Sequence, residues 1–177
     1  MKPNAKGNLF LRDCMLDALL GLMHERPFQE ITVTDITRRA GVSRMAYYRN
    51  YSSKEEILTA HLNALIGAYF QQSELAATQD HHISKRNMTR MFEQFQQQRD
   101  FLLACDEAGL GHHVLRAITD YLMQHFSNGT ANASQEYLLC AYASSIYTIA
   151  IRWLRKNTSE KPAQLAELLY AVYGEHI

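Results

Sequence analysis

Three prolines and eight glycines in 177 residues leave long stretches of the chain with neither. A strand-and-turn architecture needs such punctuation every few residues, so its scarcity excludes most all-β folds and favours helices. Net charge is absent too: 18 basic and 18 acidic residues cancel, so the molecule as a whole is no polyelectrolyte for nucleic acid and charge has to be read locally. Cysteine is sparse. Cys14, Cys105 and Cys140 are odd in number, far apart and in apolar context, which excludes a disulfide framework and predicts small, reduced core residues. Long apolar runs are missing as well. The most apolar stretch, 137–151, spans 15 uncharged residues, short of the ~20 that cross a bilayer, and Arg152, Arg155 and Lys156 follow it; a buried helix is expected there. Residues 1–8 carry two lysines but no apolar segment before a cleavage site, so no signal peptide is expected and the cytoplasm is the expected compartment.

Catalytic patterns are missing. The chain contains no His-Glu-x-x-His, Gly-x-Ser-x-Gly, Gly-x-Gly-x-x-Gly or phosphate-loop sequence. His81-His82 and His112-His113 invite a metal reading, yet neighbours on a helix diverge by about 100° and no His or Cys lies three or four residues away to complete a site. Loop or capping histidines are the expectation. No catalytic residue, cofactor or metal is predicted, and the chain is not expected to be an enzyme.

What is present is an ordinary globular balance, 47% hydrophobic and 20% charged, in a chain long enough to bury roughly 70% of its unfolded surface. Leu11, Cys14/Met15, Ala18/Leu19 and Leu22/Met23 recur at helical spacing and predict a helix over about 9–25, ended by Pro27. Thr32 stands before a short helix, 33–40, with Asp35 at its positive end and Gly41 to terminate it. Ser43 caps the next, which runs to about Asn50. Glu55 and Glu56 open a long helix over 54–78, whose buried face is marked by Leu58, Leu62, Leu65/Ile66 and Tyr69. A polar loop at 79–84 precedes helices at about 84–98, 100–108, 112–127, 134–156 and 160–173. Gly109 and Gly111 separate two of these, residues 127–132 form a turn cluster, and Pro162 suits the first turn of the last. The expected fold is all-α with about nine helices. Composition shifts near residue 52, which divides the chain into domains at 1–52 and 53–177.

Residues 32–54, TVTDITRRAGVSRMAYYRNYSSK, carry Arg38, Arg39, Arg44, Arg49 and Lys54 against Asp35 alone, a net +4 over 23 residues of a neutral chain. Two short helices joined by Ala-Gly-Val-Ser make a tight helix-turn-helix: Ala40 is small where the helices approach, Gly41 supplies the turn, Val42 fills beneath it and Ser43 caps the second helix. A helix of this size fits the major groove, while its N-terminus and basic side chains fix phosphates. Three short helices with a basic face that never touches DNA is the bland alternative.

The run FQEITVTDITRRAGVSRMAYYRNYSSKEEIL, 28–58, resembles the DNA-binding domain of the TetR family of bacterial regulators. The likeness covers about residues 8–58. It rests on a threonine-led helix, Ala-Gly-Val-Ser, an aromatic pair ending in tyrosine, then an aromatic, a serine and a lysine before a long helix. By position, it implies that Thr34 touches phosphate; that Arg44, Met45 and Tyr47 face the groove, with Arg44 and Tyr47 on base edges; and that Tyr48 and Lys54 bond further phosphates. Ser43, at the mouth of the second helix, completes the DNA-binding set. Met45 stands where glycine is frequent, Thr37 where alanine is, and Asn50 and Tyr51 where histidine and phenylalanine are usual. Met45 therefore bears on sequence preference, as an apolar probe for a thymine methyl. Ile36, Ala40, Val42 and Tyr51 are assigned to the core. The pattern Trp153-Leu154-Arg155, a short turn and Pro162 is similar to one branch of the same family.

Helix 134–156 is apolar on more than one stripe, and helix 160–173 adds Leu165, Leu168, Leu169 and Val172. These two are expected to pair with their copies in a homodimer, as the resemblance also implies. Two reading heads then demand an inverted-repeat operator. Met88, Met91, Phe92, Phe95, Phe101, Tyr121, Met123 and Phe126, with Tyr69 and Phe70, lie in the central helices. Such a stripe reads more readily as plain core, whereas the resemblance implies a pocket for a small apolar or aromatic effector. The functional expectation is a DNA-binding regulator, a repressor released by that effector; the alternative is the same fold acting as an activator or controlled by a partner protein. Double-stranded DNA and a second copy of the chain are the expected partners, and no membrane.

Overall fold

A computed structural model of the chain describes residues 5–72, 83–126, 133–156 and 160–174. Among these residues the fold is all-α. Its helices are α1 (Ala5–Met23), α2 (Val33–Ala40), α3 (Arg44–Asn50), α4 (Lys54–Gln72), α5 (Lys85–Gln97), α6 (Arg99–Glu107), α7 (Gly111–Phe126), α8 (Ala133–Arg155) and α9 (Pro162–Tyr173), with a 3-10 turn at Phe28–Glu30. The turn cluster at 127–132, His81-His82 and the side chains of Tyr69 and Phe70 lie outside the described residues.

Helix ends fall where the sequence places stop and start chemistry. The Thr32 hydroxyl accepts a hydrogen bond from the Asp35 amide (3.2 Å), and the Asp35 carboxylate accepts one back from the Thr32 amide (3.0 Å), a reciprocal capping box. At the other end of α2, Gly41 adopts φ 67°, open to glycine at little cost. The Val42 amide then reaches back to the Thr37 carbonyl at 3.0 Å. One residue later the Ser43 hydroxyl accepts from the Ala46 amide at 3.0 Å and starts α3. Gly-Val-Ser thus closes one helix and opens the next within three residues. The 3-10 turn has no such signal; Pro27 precedes it and Phe28 is buried beneath it.

One continuous core runs from Met15 and Leu19 through Ile36, Tyr47 and Leu58 to Phe92, Leu139, Trp153 and Leu169. Helix α1 packs against α2, α3 and α4, and touches α6 as well. The Phe92 ring meets Trp153 edge-on at 5.9 Å, and the Trp153 indole N–H donates to the Glu160 carbonyl at 3.0 Å, fixing the turn before Pro162. Helix α9 lies along α5 and α8, with the Tyr173 and Ser145 hydroxyls 2.8 Å apart.

The three cysteines part company. Cys105 is buried and Cys14 half-buried, as core residues should be, but Cys140 is exposed. It shares the open face of α8 with Tyr137, Ala141, Ser144 and Thr148, while α9 leaves Leu168 and Val172 more than half exposed. The expectation that α8 is buried on more than one side fails within a single chain: one stripe faces outward, and it carries no charge before Arg152.

The junction of α6 and α7 is tied to α8 by polar contacts. Asp106 accepts from the Tyr147 hydroxyl at 2.6 Å and pairs with Arg155 through its other oxygen. Burial, and then this carboxylate, push the Tyr147 hydroxyl above its ordinary pKa. Gly111 leaves room for this contact, since a Cβ at that position would stand 2.0 Å from the Tyr147 hydroxyl oxygen and displace it. No helix among the described residues is long and apolar enough to cross a membrane.

The capping box makes a stability prediction. Thr32→Ala is expected to lower the melting temperature by about 2–4 °C, the effect of losing a typical N-cap in a chain of this size. Hydrogen bonds from Thr32, and then Arg26, hold the Asp35 carboxyl down to about 2. A depressed acid stabilises the fold above its ordinary pKa and loses that contribution as pH falls through the folded value. Asp35→Asn should therefore melt below the parent chain at neutral pH, and calorimetry should find the gap closing toward pH 2.

Candidate nucleic-acid interface and interior cavity

Helix α3 has seven residues, too few to be stable alone in water, so its orientation is set by what it buries. Tyr47 is that residue. It is 0% exposed, meets Tyr48 edge-on at 5.2 Å and lies 6.2 Å from Tyr51. Burial, and then Glu55, push its hydroxyl up to about 12, and that hydroxyl finds no hydrogen-bond partner among the described residues. The expectation that Tyr47 touches a base is corrected by this geometry: its ring is the foot of α3 and points away from solvent. With Tyr47 inward, helical spacing turns Met45, Tyr48 and Arg49 outward; Met45 is 71% exposed and Tyr48 53%, and Arg44, the first residue of the helix, is exposed at its open N-terminal end.

The net +4 of residues 32–54 is largely spent on holding this unit together. Arg39 pairs with Glu25 at 2.5 Å. Asp35 takes Arg38 at 3.0 Å and Arg26 at 2.8 Å. Lys54 is the second correction. Its ammonium donates to the carbonyls of Phe28 (2.6 Å), Gln29 (3.2 Å) and Ile31 (2.8 Å), and sits 4.4 Å from the centroid of the Phe28 ring. Three donors meet three acceptors, so no N–H of this group remains for a phosphate. It closes the carbonyl end of the 3-10 turn onto the start of α4. Among the described residues, Arg44 and Arg49 alone of the five cations make no ion pair or hydrogen bond within the chain, and both are exposed on α3. Arg49 was missed as a site residue by sequence reasoning, although its spacing of four from Met45 was the available signal.

Of the remaining expected contacts, Thr34 is exposed in the first turn of α2, while Ser43 is exposed with its oxygen engaged in the cap. The structure brings Ser43, Arg44, Met45 and Tyr48 together at one end of α3. The assigned core residues Ile36 and Tyr51 are buried, and Ala40 and Val42 pack against them half-buried. Tyr51 also accepts from the Arg12 guanidinium at 3.1 Å, which locks α1 to the end of α3.

Deeper in the chain, α4, α5, α7 and α8 enclose a partly open cavity of about 140 Å³. Met88, Met91, Phe95, Tyr121 and Phe126 line it, so that part of the Met and aromatic stripe surrounds space. Phe92 and Phe101 are plain core, and Met123 packs against it. His112 reaches the Gly109 carbonyl at 3.1 Å through Nδ1, a capping contact at the start of α7. No group of three or more His, Cys, Asp or Glu among the described residues is arranged to hold a metal ion.

Comparison with known proteins finds a family match in the first third of the chain. Residues 15–60 match the model of bacterial regulatory proteins of the tetR family. The HTH-type transcriptional regulator AlkX of Mycobacterium tuberculosis is 40% identical over 45 residues; the match takes in 25% of this chain and 21% of that protein. Among solved structures, Lin0861 from Listeria innocua superposes with a TM-score of 0.74 at 15% identity, over 97% of this chain and 93% of that one. The dihydroxyacetone kinase operon activator DhaS gives 0.60 at 14%, over 92% and 93%. At such identities these two likenesses speak for the fold along the whole chain.

Two substitutions separate holding from binding. Tyr47→Phe removes a buried hydroxyl with no partner, so the variant should be at least as stable as the parent and bind DNA unchanged; a base contact would instead cost several-fold in affinity. Lys54→Met should lower the melting temperature by several degrees, since three carbonyls lose their donor, while the salt dependence of DNA binding keeps its slope.

Proposed function

We propose that this chain, which belongs to the TetR family of bacterial regulatory proteins, is a sequence-specific DNA-binding transcriptional regulator that grips an inverted-repeat operator as a homodimer. The observation that carries the reading is the outer face of α3, where two unpaired guanidinium groups flank an exposed methionine and tyrosine. A guanidinium recognises guanine or phosphate through paired N–H donors, and an apolar side chain suits a thymine methyl. Arg44 and Met45 are assigned to base edges, Thr34, Ser43 and Tyr48 to phosphates, and Arg49 to the backbone at the far end of the helix. Residues 1–52 form the reading head in this proposal and 53–177 the effector and dimer domain.

The second copy docks on the open faces of α8 and α9. Small or neutral side chains line the α8 stripe, and Leu168 and Val172 are exposed beside it; stable dimers of this kind bury about 2,000 Å² or more. Helix α6 is the proposed connection between cavity and head, because it touches α1 on one side and α7 and α8 on the other. A ligand in the cavity that shifts α6 would change the separation of the two heads and release the operator, which makes the regulator a repressor.

Fluorescence anisotropy against a selected duplex pool tests the head. Arg44→Ala and Arg49→Ala should each flatten the plot of log affinity against log salt by about one unit; Arg44→Ala should also relax sequence preference, and Arg49→Ala weaken all sequences alike. Slopes unchanged in both variants would sink the assignment. Light scattering tests the dimer: the parent chain should run as a dimer at micromolar concentration, and a Leu168→Glu, Val172→Glu double variant as a folded monomer.

A further inference from the structure

The cavity wall is overwhelmingly apolar, broken by one narrow polar strip. Asn87, Gln94 and Gln98 fall on one face of α5 and its C-cap, at spacings of seven and four that bring them into a single stripe along the cavity. Gln94 and Gln98 make no side-chain hydrogen bond among the described residues, so their amides are available to an occupant. Across from them the wall is aliphatic and aromatic, supplied by residues such as Leu62, Ile118 and Ile146. No charged side chain is among the described residues that line it.

We infer that this cavity takes a small uncharged molecule with an apolar body and one hydrogen-bonding edge, such as an amide, alcohol or phenol, seated with that edge on the Gln94–Gln98 stripe. The inference rests on the effector reading above and narrows it to a ligand class. Size sets one bound: about 140 Å³ is close to the ~150 Å³ of an apolar cavity that holds a benzene ring, so the part of the occupant enclosed by the partly open cavity is about one ring in size. Charge sets the other. Burying a carboxylate or phosphate without a cationic partner is strongly unfavourable, and this lining has amide donors but no guanidinium or ammonium to offset the desolvation. A side-chain amide both donates and accepts, so it serves a neutral polar group of either sense.

Titration calorimetry on the full chain tests this with benzamide, toluene and benzoate as matched probes. Benzamide is expected to bind at least tenfold tighter than benzoate. Gln94→Leu, which keeps the bulk and removes the amide, should weaken benzamide by about three- to tenfold and leave toluene within twofold. Gln98→Leu serves as the second variant if the first folds poorly, and Ile118→Trp, which fills the space, should abolish binding of both. Benzoate binding as tightly as benzamide, benzamide indifferent to all three substitutions, or no benzamide binding at all would overturn the assignment. DNA anisotropy in the same samples keeps the two readings apart: benzamide that binds in the expected pattern without moving DNA affinity upholds the ligand class and fails the effector role.

Discussion

The outer surface of this molecule depends on one buried ring. A seven-residue helix has almost no intrinsic stability, so α3 exists because Tyr47 sinks into the core beside Tyr51, Ile36 and Leu58. Helical geometry does the rest. Once position 47 is pinned inward, positions 45, 48 and 49 must face out while Arg44 stands at the helix's open start, and together they carry the cations, the methionine and the phenol of the proposed reading face. The same ring carries a cost. Its hydroxyl is buried with no partner among the described residues, a local inconsistency of the kind that proteins tolerate when the ring's packing outweighs the lost hydrogen bond.

Charge in this region divides between structure and contact. Arg26 and Arg38 converge on Asp35, Arg39 reaches Glu25, and Lys54 stitches three carbonyls of the 3-10 turn to the first turn of α4. Exposed pairs of this kind stabilise little one by one, but each fixes a relative placement: α1 against α2, and the 3-10 turn against α4. Lys54 matters most, because one ammonium gathers three backbone carbonyls, of which Phe28's also accepts from the Ile31 amide. A basic cluster read from sequence as +4 of available charge thus becomes two free guanidiniums aimed in a chosen direction.

Much of this was legible from the residues. Thr32 with Asp35, Gly41 and Ser43 mark helix ends because capping is local: a side chain satisfies an amide three residues away, and spacing alone reveals it. Amphipathic spacing marked α1 and α4, and the expected ranges of the later helices fall close to those of α5 to α9 among the described residues. The failures were non-local. Nothing in Tyr47-Tyr48 tells which of two adjacent tyrosines turns inward; that depends on where α1 lies. Lys54 read as a phosphate ligand because its true partners are carbonyls, which every residue possesses and no sequence displays. Cys140 looked like core until α8 was seen to leave one stripe open. The cavity was ambiguous for a deeper reason, since Met88, Met91 and Phe95 would be the same residues whether they filled the space or lined it.

The arrangement also limits how regulation can work. A ligand shifts a two-state equilibrium only by its differential affinity for the two states, and a monocyclic neutral molecule has few contacts to differ by. A cavity of about 140 Å³ therefore has to act on an element already poised between two placements. Helix α6 has the right connections. It is short, spanning Arg99–Glu107, reaches α1 at one side, and is held to α8 through Asp106, whose carboxylate joins Tyr147 and Arg155. Gly111 leaves room for that contact, and a larger residue there would displace the Tyr147 hydroxyl. Leu102 and Gln98, at the start of the same helix, border the cavity. In the proposed regulator, movement of one end of α6 by an occupant would be resisted at the other end by this charged knot, which favours a pivot against α1 over a slide. In the proposed dimer such a pivot would alter head separation, by as much as the ligand's preference for one placement of α6 over the other allows.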